Sequence, residues 1–212
     1  LADQSKASIS SVGDITDNNS VPQWQNAYTA MSLLHDVVPY VLTIGNHDMV
    51  HGSGLHRRGE TRINSFFPVE AARRYSNLVD TMVPGRIENS YALFEIGGDR
   101  YVVIALEFGP PDEALAWANT VARQYPDHRM ILLTHSYLSR SGALSTSPLG
   151  YAIAQNPETT VNAAPEMWNR FMRLHANAFM VISGHTSPDV PTVPYRVALG
   201  TARRPVFELL FD

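Results

Sequence analysis

An α/β fold is predicted for this chain from three features of its pattern. Short runs of consecutive apolar residues, dense in Val and Ile, read as strands covered on both faces. Amphipathic stretches of helical period separate them, so strand and helix alternate. A Gly-Gly-Asp joint between two strand-like runs reads as a hairpin, which makes the sheet system mixed rather than purely parallel.

In chain order, "SISSVGD" (8–14) is the first expected strand, "PQWQNAYTAMSLL" (22–34) the first helix and "PYVLTIGN" (39–46) the second strand. The segment 49–66, with Gly52, Gly54 and Gly59, reads as a long loop, and such loops inside compact domains are usually functional or disordered. "PVEAARRYSNLV" (68–79) reads as a helix. "ENSYALFEIGGDRYVVIALE" (88–107) is the hairpin about Gly97, Gly98 and Asp99, with "RYVVIALE" (100–107) its second strand. "DEALAWANTVARQY" (112–125) puts Leu115, Ala118, Val121, Ala122 and Tyr125 on one helical face, with Asp112 as the expected N-cap. "RMILLTH" (129–135) and "AFMVISGH" (178–185) are further strands. Between them "EMWNRFMRLH" (166–175) is a helix presenting Met167, Phe171 and Leu174. Pro188, Pro191 and Pro194 then interrupt any regular element.

The 212 residues, 44% hydrophobic and 17% charged, are enough for one substantial domain, and no apolar run is long enough to span a membrane. A net charge of −4 argues against a nucleic-acid partner, which usually leaves a basic footprint. With no cysteine, thiolate metal sites and disulfides are excluded, so any metal falls to His, Asp, Glu or Asn. Neither compartment, cytoplasmic or exported, nor oligomeric state follows from this composition.

Four of the apolar runs stop at a residue able to bind a metal: Gly13-Asp14, Gly45-Asn46-His47-Asp48, Thr134-His135 and Gly184-His185. In α/β sheets ligands bind outside the carboxyl ends of the strands, so these four points are expected to converge. A carboxylate, an amide oxygen and two imidazoles suit Mn, Fe or Zn better than Ca or Mg.

"GDITDNN", "GNHD", "TH" and "GH", in this order, resemble the motifs of the calcineurin-like metallophosphoesterases. The likeness runs from about Ser10 to His185. It implies a four-layer α/β/β/α sandwich of two mixed sheets flanked by helices, with metals at the strand ends. Carried over, Asp14 bridges two divalent ions, and Asn46, His135 and His185 complete the second ion's shell. His47 faces the substrate as general acid or phosphate stabiliser, held by a hydrogen bond to Asp48, and Asp17 supports the loop without ligating. The reaction implied is hydrolysis of a phosphate ester, on a phosphorylated small molecule or a phosphoprotein, with a metal-activated water.

Two motifs depart from the family. Its D-x-H strand has no counterpart in the thirteen residues before Asp14, and Ser187 in "GHTS" stands where a second His belongs. Both are ligands of the first ion. The expectation is therefore one metallophosphoesterase domain over 1–212, cut at Leu1 so that its N-terminal strand is lost, with internal loops also open to loss. The competing readings are a single-ion variant and a non-catalytic scaffold of the same fold.

Other residues carry plainer expectations. Loop histidines and arginines are commonly solvated, and this holds for His51, His56, Arg57, Arg58 and Arg62. His51, Arg57 and Arg58 are retained as candidate substrate contacts. His35, His128 and His175 are expected to be structural, Glu107 to cap or to pair with an arginine, and Trp117 and Trp168 to lie in the core.

Overall fold

The computed structural model describes residues 8–52, 55–154, 160–187 and 193–211. Gly54, Pro188, Pro191 and the residues about Leu1 lie outside these segments.

The main sheet is built from β5 (Leu78–Val83), β6 (Arg86–Ile96), β7 (Asp99–Leu106), β8 (Arg129–Thr134), β10 (Ala178–Ser183), β11 (Tyr195–Leu199) and β12 (Pro205–Leu210). Across it these seven strands lie in the order β11-β12-β10-β8-β7-β6-β5. β7, β8, β10 and β12 run parallel, and β5, β6 and β11 are antiparallel to their neighbours, so the sheet is mixed. A parallel pair, β1 (Ile9–Ser11) and β2 (Tyr40–Leu42), makes a second sheet. β3 (Val50–Gly52), β4 (Leu55–Arg57) and β9 (Ala152–Ala154) make a third.

Period-two alternation shows how the layers stack. Along β7, Val102, Ile104 and Leu106 pack against α4 (Asp112–Gln124) and α5 (Ala164–Arg170). Val103 and Ala105 point the other way, onto Val41 of β2. On the far side of β2, Tyr40 and Leu42 pack with Trp24 of α1 (Val21–Ser32), Ile63 of α2 (Ile63–Phe66) and Val69 and Ala72 of α3 (Val69–Tyr75). The result is the expected helix, sheet, sheet, helix sandwich. Its smaller sheet, among the described residues, is a parallel pair rather than a mixed sheet.

The 88–107 hairpin turns on Gly97 and Gly98, at φ 60° and 84°. This is the two-residue turn whose positive φ values match strand twist. Other boundaries differ from expectation for identifiable reasons. The helix expected over 68–79 stops at Tyr75, because Asn77 adopts φ 54° and ends it. Leu78 and Val79 then start β5. Asp112 is the first helical residue and Pro111 the N-cap, since the Asp112 carboxylate instead takes hydrogen bonds from Asn162 and Arg170. Within 49–66 the chain is not a loop: it folds β3, β4 and α2. β5, β9, β11 and β12 have no counterpart among the expected elements.

A candidate metal centre

The carboxyl ends of β1, β2, β8 and β10 bring Asp14, Asn46, His135 and His185 together. The ligand atoms of Asp14, His135 and His185 lie within 4.8 Å of one another. His135 Nε2 is the hub, 3.2 Å from Asp14 Oδ2, 3.2 Å from Asn46 Oδ1 and 3.0 Å from His185 Nδ1.

Hydrogen-bond arithmetic identifies what this cluster needs. His135 Nδ1 donates to the Val12 carbonyl at 2.6 Å, so in the neutral ring Nε2 is a lone pair. Asp14 Oδ2 and Asn46 Oδ1 are acceptors too. His185 Nε2 meets Ser147 Oγ at 2.8 Å, leaving His185 Nδ1 turned inward. Acceptor-capable atoms of Asp14, Asn46, His135 and His185 gather about the buried His135, and a cation placed among them would satisfy all of them. The donor set of two imidazole nitrogens, an amide oxygen and a carboxylate fits a borderline divalent ion. Burial acts to raise the Asp14 pKa. With His135 carrying a second proton on Nε2, its hydrogen bond and charge, together with the His47 backbone N–H, outweigh burial and hold the carboxyl below its ordinary value.

The backbone is shaped for this approach. Asp14 and His185 both take positive φ, 50° and 79°, conformations costing on the order of 1–3 kcal/mol that surrounding structure must hold. Gly13 and Gly45 are needed for contact between the first two strand ends. A Cβ on Gly13 would lie 2.6 Å from Gly45 N and 2.7 Å from His135 Nδ1, and one on Gly45 would overlap the Asp14 carboxylate.

His47 sits beside Asp14, its backbone N–H donating to Asp14 Oδ1 at 3.0 Å. Its ring is not held by Asp48. His47 Nδ1 donates to the Asp17 carbonyl at 2.6 Å, and the largely exposed Asp17 carboxylate lies 3.6 Å away. Asp48 is fully buried and clasps two loops. Its Oδ1 accepts from Thr16 N–H and hydroxyl at 2.8 and 2.9 Å, and its Oδ2 from Ile15 and Gly45 N–H at 3.1 and 3.0 Å. The expected Asp48–His47 bond is therefore corrected, because four donors closer at hand saturate that carboxylate.

The expectation for Arg58 is corrected as well. Arg58 is buried, paired with Glu107 at 3.0 Å and donating to the Gly109 carbonyl at 2.7 Å, so it holds the fold rather than a phosphate. Burial pushes the Glu107 carboxyl above its usual range, against the pull of Arg58. Arg57 is exposed, 3.7 Å from Glu60, and lies on the opposite strand face from His56. His51 does reach the site region, its ring 5.9 Å from that of His47. Ser187 is exposed. Sequence reading missed Ser147, Phe108 and Tyr151. Tyr151 packs 5.7 Å from the His185 ring and 5.0 Å from Phe108, and burial, then the Asp14 charge, raises its hydroxyl pKa.

A family model described as calcineurin-like phosphoesterase matches residues 8–188. The uncharacterized protein YvnB of Bacillus subtilis (strain 168) is 29% identical over 180 residues, which are 82% of this chain and 12% of that protein. A 5'-nucleotidase precursor from Thermus thermophilus shares the fold with a TM-score of 0.51 at 14% identity. That match covers 96% of this chain and 38% of the other. The chain thus spans a small part of the curated relative and well under half of the solved one. No helix among the described residues is long and apolar enough to cross a membrane.

Proposed function

The chain belongs to the calcineurin-like phosphoesterase family, and from that premise we propose that it hydrolyses a phosphate ester in a metal-dependent reaction. The ion would be held by Asp14 Oδ2, Asn46 Oδ1, His135 Nε2 and His185 Nδ1. The observation that carries the reading is the convergence of these four side chains about His135 Nε2. A divalent cation bound there supplies Lewis acidity, polarising phosphoryl oxygens and lowering the pKa of a nearby water.

The chain's own residues do the rest. The Val12 carbonyl fixes the His135 tautomer, and Ser147 orients His185. The His47 backbone N–H holds Asp14, so the carboxylate and the catalytic imidazole are positioned by one peptide unit. With Nδ1 committed to the Asp17 carbonyl, His47 delivers from Nε2. In the imidazolium form that atom donates to a phosphoryl oxygen and then protonates the leaving alkoxide, and the half-exposed ring recovers its proton from solvent. Among the described residues one such ligand group is found. A second ion would share Asp14 and draw further ligands from elsewhere. The substrate is a phosphorylated small molecule or a phosphoprotein.

Turnover of p-nitrophenyl phosphate and bis-p-nitrophenyl phosphate by Mn2+-loaded protein, before and after chelation, tests this reading. Metal-dependent release of nitrophenol that falls in His47→Ala supports it. Stoichiometric metal binding with no release from either ester contradicts it and favours the scaffold.

A further inference from the structure

The site is bounded by a run of rings that begins and ends at Asp14. His47, whose N–H holds Asp14 Oδ1, has its ring 5.9 Å from His51. His51 stacks on His56 at 5.4 Å and 21°, and His56 meets the edge of Tyr151 at 4.9 Å. Tyr151 lies 5.7 Å from His185, and His185 lies 4.8 Å from His135, which returns to Asp14 Oδ2. Phe108 backs this arc, 5.0 Å from Tyr151 and 5.2 Å from His185.

The third sheet builds the outer half of the arc. β3 and β4 pair His51 opposite His56, and β4 and β9 pair His56 with Ile153, so these three side chains share one face. Ile153 packs into the core beside Phe108, which turns that face toward the metal centre. Arg57 and Leu55 fall on the other face. Of three arginines close to β4 in the chain, Arg57 lies 3.7 Å from Glu60, Arg58 is sealed against Glu107, and Arg62 Nε donates to the Asn19 carbonyl. Burial, then the neighbouring His51 and His47, holds His56 below the ordinary histidine value, so near neutral pH it is an uncharged ring.

We infer that His51, His56 and Tyr151 form a specificity subsite for a planar unsaturated ring carried on the alcohol of the phosphate ester. This rests on the phosphoesterase reading and adds the substrate class to it. On this reading the phosphoryl group binds at Asp14 and the alcohol it carries extends along the arc. An alcohol running that way would meet the ring faces and edges of His51, His56 and Tyr151.

The test compares two esters with leaving alcohols of the same basicity, 2-phenylethyl phosphate and 2-cyclohexylethyl phosphate, on Mn2+-loaded protein. The 2-phenylethyl and 2-cyclohexylethyl phosphonates, which cannot be hydrolysed, give a parallel binding titration. Aromatic pairing energies predict a phenyl preference of about 3- to 10-fold in both kcat/KM and affinity. Tyr151→Leu and His51→Leu keep apolar bulk and are expected to bring both ratios close to one. His51 is exposed, so His51→Leu carries the test if Tyr151→Leu fails to fold. Equal handling of both pairs, or a preference that survives in a folded variant, overturns the subsite and leaves the phosphoesterase reading standing. A binding preference without hydrolysis of either ester overturns the phosphoesterase reading and keeps the subsite. No hydrolysis and no preference overturns both.

Discussion

The two ends of the same parallel strands carry polar clusters of opposite kinds. At the carboxyl end, Asn46 and His135 are buried, and Asp14 Oδ2, Asn46 Oδ1 and His185 Nδ1 crowd about His135 Nε2. At the amino end, Arg100, Arg129 and Arg204 border an open cavity of about 490 Å3 together with Asp127 and His128. There the groups are mostly exposed. Arg129 pairs with Asp99 at 3.2 Å and lies 5.2 Å over Phe179, and water can reach the rest. A count of charges would select the amino end as the place of function. The geometry favours the carboxyl end, because acceptor-capable atoms crowded about the buried His135 gain most from a bound cation, whereas solvated arginines cost little.

That contrast can be broken or sharpened by substitution at each end. The largest effect belongs to His135→Ala, which removes the hub of the ligand set. Saturating Mn2+ at about 100 times its Kd is expected to stabilise the parent protein by about 2.7 kcal/mol in thermal unfolding. In His135→Ala that gain, and ester hydrolysis with it, is expected to vanish. His47→Ala comes next: kcat should fall by about 10²- to 10⁴-fold while the Mn2+-induced stabilisation is unchanged, separating catalysis from metal binding. Ser147→Ala leaves His185 without its orienting partner and is expected to weaken Mn2+ affinity by about 10- to 100-fold in calorimetric titration. At the opposite end, Arg204→Ala should change neither Mn2+ affinity nor hydrolysis, and stability by no more than about 0.5 kcal/mol in denaturant unfolding. A loss of activity there would mean that the charge-rich end takes part after all.

What the sequence made legible follows from locality. Asp14, Asn46, His135 and His185 were visible because each directly follows an apolar run, and strand ends in an α/β sheet meet. The Gly97-Gly98 turn was visible because a two-residue hairpin demands positive φ. Contacts between segments distant in sequence were not. Asp48 follows His47 directly, which suggested a pair, but tertiary folding carries its carboxylate to Ile15 and Thr16 and gives His47 the Asp17 carbonyl. Arg58 sat among loop charges until β4 brought it to Glu107, 49 positions on in the chain. Tyr151 and Ser147 lie in "SPLGY", a turn-rich stretch whose place beside His185 no periodicity announces. Strand β11 did carry a signal, the alternation of Tyr195, Val197 and Leu199, which the neighbouring prolines masked.

The central claim is that Asp14, Asn46, His135 and His185 are one cation site. Crystals grown with Mn2+ and measured for anomalous scattering test it most directly. The account predicts a peak within coordinating distance of Asp14 Oδ2, Asn46 Oδ1, His135 Nε2 and His185 Nδ1. That peak should be absent in His135→Ala crystals. A map of the Mn2+-saturated protein with no peak there, or with manganese bound only elsewhere, would contradict it.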